Sequence, residues 1–204
     1  MFKKMAADAL GLSDIGKIID PADYDKTDAD DYIFNEDQEK IYFLIKTKAD
    51  EYCFTNLALI HVDGESAVSS KRTLKRYPYY QHKISGVILE TAGRVDLDVE
   101  IKFILGNHAF DIDVRKDQID QLKDLYKSLL KIEEIMEENQ KLTQFGKKSY
   151  ENAVSILHNS RTDQDELAET CENLTNYGFD WNRSIHEKYL KKDFGDVFEK
   201  YIYN

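Results

Sequence analysis

The chain has 204 residues, a mass of 23.8 kDa and a formal net charge of -11. Hydrophobic residues make up 42% of it, enough to build a core, which excludes wholesale disorder. Two cysteines, two prolines and nine glycines exclude a disulfide-dense scaffold and Pro- or Gly-rich fibrous architectures.

Residues 2–12 (FKKMAADALGL) place Phe2, Met5, Ala9 and Leu12 near helical spacing, which predicts a short amphipathic helix. No run approaches the roughly 20 apolar residues that span a bilayer, and Lys3 and Lys4 are not followed by an apolar signal segment. The expected class is therefore a soluble, cytoplasmic protein with reduced thiols. Residues 20–31 (DPADYDKTDADD) read as an acidic, solvated loop. They fail as a calcium loop, because no Asp start brings Gly to position 6 and Glu to position 12.

From residue 40 the pattern is one of strands. Ile41–Thr47 and Tyr52–Val62 are β-rich, with a turn at 49–51 between them and Asp63-Gly64 as a further turn. Short strands are predicted near 66–70 and 72–79, then at Ile84–Thr91. Val95–Leu105 alternates: Val95, Leu97, Val99, Ile101 and Phe103 face one way, and Asp96, Asp98, Glu100 and Lys102 the other. Ala109–Val114 alternates again. Seven strands with no helix between them cannot make a βαβ sheet. They predict an antiparallel meander closing into a sandwich or barrel.

Past residue 116 the period becomes helical. Leu122, Leu125, Leu129, Ile132 and Met136 are spaced 3-4-3-4, predicting a helix toward Gln144 of about 28 residues or about 42 Å. A small barrel cannot cover that length, so its far half needs another partner. Gly146 is expected to break the helix, and Gly178 to end a third one capped by Thr162 or Asp163. Trp181, Ile185, Tyr189, Phe194, Val197, Phe198, Tyr201 and Ile202 make the last stretch heavily aromatic, which a free tail is not. The long helix and this tail make Leu122, Leu125, Leu129, Ile132, Met136, Trp181, Tyr189, Phe194 and Phe198 the candidate oligomerisation residues. Asp at Leu129 and Ile132 is expected to dissolve an assembly and spare the strands.

Five strand motifs appear in order: Phe54-Thr55-Asn56, Ile60-His61-Val62-Asp63-Gly64, Tyr77-Pro78-Tyr79, Glu90-Thr91-Ala92-Gly93, and Asp96 to Lys102 (DLDVEIK). Together they resemble the bacterial pleckstrin-homology (PH) domain family, and specifically its YvbH-like members, over about residues 10–130. The resemblance implies an α+β fold: a seven-stranded antiparallel PH-like barrel closed by a C-terminal helix, then an all-α helical extension. The expected division is 1–36 (N-terminal helix and acidic loop), 37–130 (PH-like domain) and 131–204 (helical extension). The segment from about 145 onward is similar to the helical-hairpin extension of YvbH-like proteins, which implies a part in homo-oligomerisation.

The chemistry-bearing residues form no catalytic set. His61, His82, His108, His158 and His186 sit in no HExxH pattern, and Cys53 and Cys171 in no CxxC pattern. No P-loop, GxGxxG or GxSxG occurs, so no enzyme, cofactor or metal is expected. The Asp96, Asp98, Glu100 row reads as a solvated strand face or as one paired with cations. Lys71, Arg72, Lys75, Arg76 and Lys83 fall in thirteen residues without an acid, making a candidate anion or partner patch. Such a patch could also pair with the acidic row across a subunit boundary. The acidic net charge disfavours nucleic acid. The expectation is a non-enzymatic, homo-oligomeric interaction module whose first partner is a copy of itself, with its repeated surfaces open to another protein. The alternative is a peripheral binder of anionic lipid or phosphate, with a membrane surface the less favoured partner.

Overall fold

Two antiparallel sheets carry the strand-rich part of the chain. They are seen in a computed structural model that describes residues 15–64, 72–91, 98–158 and 167–203. The first sheet has the order β1 (Lys17–Ile18), β2 (Ile41–Lys46), β3 (Glu51–Thr55), β4 (Ala58–Gly64), β5 (Arg72–Pro78). The second has the order β6 (Ile84–Glu90), β7 (Asp98–Leu105), β8 (His108–Arg115).

The expected closed, seven-stranded barrel is corrected on two counts. Eight strands are present among the described residues, and they form two sheets that do not close. One seam is joined only by an isolated parallel bridge between Gly16 and Val114, in which Gly16 N donates to Asp113 O at 2.7 Å. At the other seam β5 ends at Pro78, whose carbonyl accepts from Gln81 N and His82 N as the chain turns away before β6. Two strands are additional to those expected: Lys17–Ile18 pairs with β2, and Tyr52–Val62 is two strands. Thr55 Oγ1 accepts from the amides of Leu57 and Ala58, folding a tight turn that reverses β3 into β4. Asp63 and Gly64 are strand residues opposite Thr73 and Arg72. The first hairpin turns at Thr47, whose hydroxyl accepts from Ala49 N and Asp50 N, so Glu51 already belongs to β3. The helix expected at 2–12 and the strand expected at 66–70 lie outside the described residues.

The sheets face each other through aromatic rings. Phe54 lies 5.9 Å from Phe103, Tyr52 6.3 Å from Phe110, and Tyr77 5.5 Å from Phe110. The opposite face of the first sheet is covered as well. Leu44, Cys53, Ile60 and Val62 pack there with Ala29, and Ile19, Tyr24 and Ile33 join them. The acidic segment is thus a cover: 3-10 turns at Pro21–Lys26, Asp28–Tyr32 and Asn35–Asp37 keep most acids in water and bury Thr27 and Ala29. Glu39 anchors its end. Its fully buried carboxylate accepts from Phe34 N at 2.9 Å, from Arg76 Nη2 at 2.8 Å and from Thr55 Oγ1.

Three α-helices follow among the described residues. α1 (Ile119–His158) runs unbroken through Gly146, and α2 (Leu167–Tyr189) runs through Gly178, so neither glycine is a breaker. A short α3 (Gly195–Ile202) ends the chain. The chain divides into two units: residues 1–133 with 192–204, and residues 134–191. In the first, α1 contributes Leu122, Leu125, Leu129 and Ile132, all fully buried, and Gln118 bonds both the amide and the carbonyl of Ile18.

Candidate functional site

The second unit pairs the later part of α1 with α2, and its packing seam is set by two glycines. A Cβ on Gly146 would overlap Ile185, and one on Gly178 would overlap the Tyr150 hydroxyl. The helices therefore approach closely along this seam. Trp181 Nε1 donates to Gly146 O at 3.0 Å, and Tyr150 Oη donates to Leu174 O at 2.9 Å. Tyr177 stacks on Trp181 with centroids 6.3 Å apart. Among the described residues of this unit, Gly178 and Ile185 are the buried ones. By contrast Phe145 is 67% exposed, Tyr177 59% and Phe179 66%. A two-helix layer buries one seam and leaves the flanks of both helices open, so these rings lie in water.

The candidate oligomerisation residues are divided between the two units. Leu122, Leu125, Leu129, Ile132, Phe194 and Phe198 are buried within the first. Met136, Trp181 and Tyr189 are half-buried within the second, with the Lys188 ammonium 5.2 Å from the Tyr189 ring centroid. Sequence reading passed over Phe145, Tyr177 and Phe179. The signal was present: each adjoins a stripe position (Gly146 or Gly178) and falls on its flank.

The basic patch is laced to acids. Arg72 lies 3.5 Å from Asp28, Lys75 2.7 Å from Asp63, and Arg76 2.8 Å from Glu39 while stacking 4.2 Å over the Phe34 ring. The Lys75 hydrogen bond holds the Asp63 carboxyl below its ordinary range. Lys83 is half-buried and engaged, and Lys71 lies outside the described residues. On the second sheet Lys102 reaches Glu100 at 2.9 Å and Glu90 at 3.1 Å, which raises its pKa. Asp98 stands opposite Arg115, and Asp96 lies outside the described residues. The described part of the acidic row, Asp98 and Glu100, is therefore met by cations on its own sheet. A polar groove of about 620 Å³ brings Lys17, Lys26 and Lys46 beside Asp20 and Asp23, with Lys26 paired to Asp23 and Lys46 to Glu51. Among the described residues no group of three or more His, Cys, Asp or Glu could hold a metal ion. None of their helices is long and apolar enough to cross a membrane.

Comparison with known proteins gives this geometry a context. The model of the Bacterial PH domain matches residues 9–133, and that of the YvbH-like oligomerisation region matches residues 144–204. The chain is 68% identical to "Uncharacterized protein YvbH" of Bacillus subtilis (strain 168) over 204 residues, the whole of both chains. It is similar to a crystal structure of a PH domain containing bacterial protein from Exiguobacterium sibiricum 255-15. That match has 52% identity and a TM-score of 0.83, covering 93% of this chain and 100% of the other. With its two antiparallel sheets, its C-terminal helices and these matches, the chain belongs to the bacterial PH domain family.

Proposed function

We propose that the protein is a non-enzymatic interaction module: copies associate through the helical unit and present PH-like units as repeated binding surfaces. The observation that carries this reading is the imbalance among the described residues of 134–191, where Phe145, Tyr177 and Phe179 are exposed and only Gly178 and Ile185 are buried. Burying an aromatic side chain removes roughly 150–250 Å² from water, so three such rings per chain supply a large driving force for self-association. The match of residues 144–204 to an oligomerisation region supports the assignment. Repeated PH-like units would gain avidity for a multivalent protein partner.

Light scattering after size exclusion tests this. The full chain is expected at a multiple of 23.8 kDa. The double variant Phe145→Ser/Phe179→Ser, altered only at exposed positions, is expected to fall toward 23.8 kDa with its strands intact. A full chain already at 23.8 kDa over the micromolar range would overturn the reading.

A further inference from the structure

Among the described residues β5 is the outermost strand of the first sheet. Tyr79 N donates to Leu57 O at 3.0 Å, and Tyr77, Lys75 and Thr73 stand opposite Leu59, His61 and Asp63. Main-chain groups alternate sides along a strand. Those of Thr73, Lys75 and Tyr77 therefore face β4, and those of Leu74 and Arg76 point out of the sheet. The side chains of the same two residues line an apolar notch of about 190 Å³, whose other walls are Tyr32, Ile33, Phe34 and Ile60. That is below the roughly 300–1,000 Å³ of small-molecule sites and suits one large apolar side chain. Tyr32, Phe34 and Leu74 are exposed around it. One wall is held in advance: the Arg76 guanidinium lies 4.2 Å over the Phe34 ring and is fixed by the buried Glu39 carboxylate at 2.8 Å. An outward-facing main chain beside such a notch is what an added strand needs, the main chain for affinity and the notch for specificity.

Charge selects the occupant. The cations of β5 are already met, Arg72 by Asp28, Lys75 by Asp63 and Arg76 by Glu39. The covering segment 20–37 holds eight acids against Lys26 alone. Asp31 lines the notch, and Asp31, Glu36 and Asp37 are exposed with no ion pair among the described residues. The face is therefore negative, and a second copy of this chain, itself at -11, brings the wrong sign to it.

We propose that the free edge of β5 takes an extended segment of another protein, one large apolar side chain flanked by Lys or Arg. The segment adds to the sheet through main-chain hydrogen bonds with Leu74 and Arg76 and seats its apolar side chain in the notch. The inference rests on the interaction-module reading, whose binding surface and partner chemistry it specifies.

Selection from a phage-displayed library of random peptides on the full chain tests it. Enriched peptides are expected to carry Leu, Ile, Phe or Trp flanked by Lys or Arg. Made synthetically, they are expected to bind Leu74→Arg, altered at an exposed position, about tenfold more weakly or worse. Glu36→Lys/Asp37→Lys, altered outside the notch, is expected to weaken them too and to reduce the salt dependence of binding. Bound peptide is expected to slow amide exchange at Leu74 and Arg76. No enrichment, enrichment of acidic peptides, full binding by both variants, or unchanged exchange at Leu74 and Arg76 overturns the inference. A fall in mass of an oligomeric chain on Leu74→Arg makes a second copy the occupant and overturns it as well. Failed selection on a chain that light scattering finds oligomeric leaves self-association standing. Successful selection on a monomeric chain overturns self-association and leaves this site standing.

Discussion

Gly178 and Tyr150 show how one missing methyl group sets the geometry of the helical unit. Tyr150 lies over the glycine and donates to Leu174 O at 2.9 Å. Alanine is intrinsically better than glycine in a helix interior by roughly 1 kcal/mol. Here its Cβ would displace the Tyr150 ring and break that bond. Gly178→Ala is therefore expected to destabilise the helical unit by about 1–3 kcal/mol. Urea melting monitored by helical circular dichroism checks the sign, and a stabilised unit would contradict the close-packed seam. The same residues explain why the glycines read as helix ends. A glycine notch and a glycine cap look alike in sequence, and only the residue lying against it tells them apart. Arg76 and Lys75 give a parallel case. They look like a free basic patch along the chain because their partners, Glu39 and Asp63, are 37 and 12 residues away.

Strand β7 and helix α1 mark the limits of legibility at the level of elements. Val99, Ile101, Phe103 and Leu105 are buried and Ile104 is exposed, so the alternation of β7 reads directly from the sequence. β2 does not alternate: Tyr42, Phe43, Leu44 and Ile45 are all buried, because both faces of the first sheet are covered. The β3–β4 reversal is made by the Thr55 hydroxyl, without glycine or proline, and so escapes turn signals. In α1 the apolar stripe is legible but its use is not. Leu129 is fully buried in the PH-like unit, so Asp there would disrupt that unit before any assembly. Leu129→Ala is expected to cost about 2–5 kcal/mol. Phe145→Ala, at an exposed site, stays within about 0.5 kcal/mol in the monomer. Amide exchange in β7 and β8 distinguishes them: it accelerates in the first variant alone.

Two units with unequal cores make the whole molecule. The PH-like unit holds the aromatic core between its sheets, whereas the described residues of 134–191 bury little. Melting is expected in two phases, with helical signal lost before strand signal. Association stabilises the folded form by mass action, so the midpoint of the first phase is expected to rise with protein concentration. A concentration-independent first phase would mean that the exposed rings make no intermolecular contact. The charge of -11 keeps such an assembly soluble and makes unspecific contact with acidic surfaces unfavourable.

The sequence by itself determined the strand-rich centre, the helical end, the family resemblance and the absence of recognised catalytic motifs. Each of these is written in neighbouring residues: alternation of period two, stripes of period 3.6, and motif spacing. Only the tertiary structure decided that the sheets stay open, that the acidic segment is a cover, that Gly146 and Gly178 are notches, and that Phe194 and Phe198 return to the first unit. These depend on pairs far apart in the chain, such as Asn56 with Asp193 or Gly16 with Val114. A local pattern tells a residue which face to bury, but the surface that covers it is supplied by a distant segment.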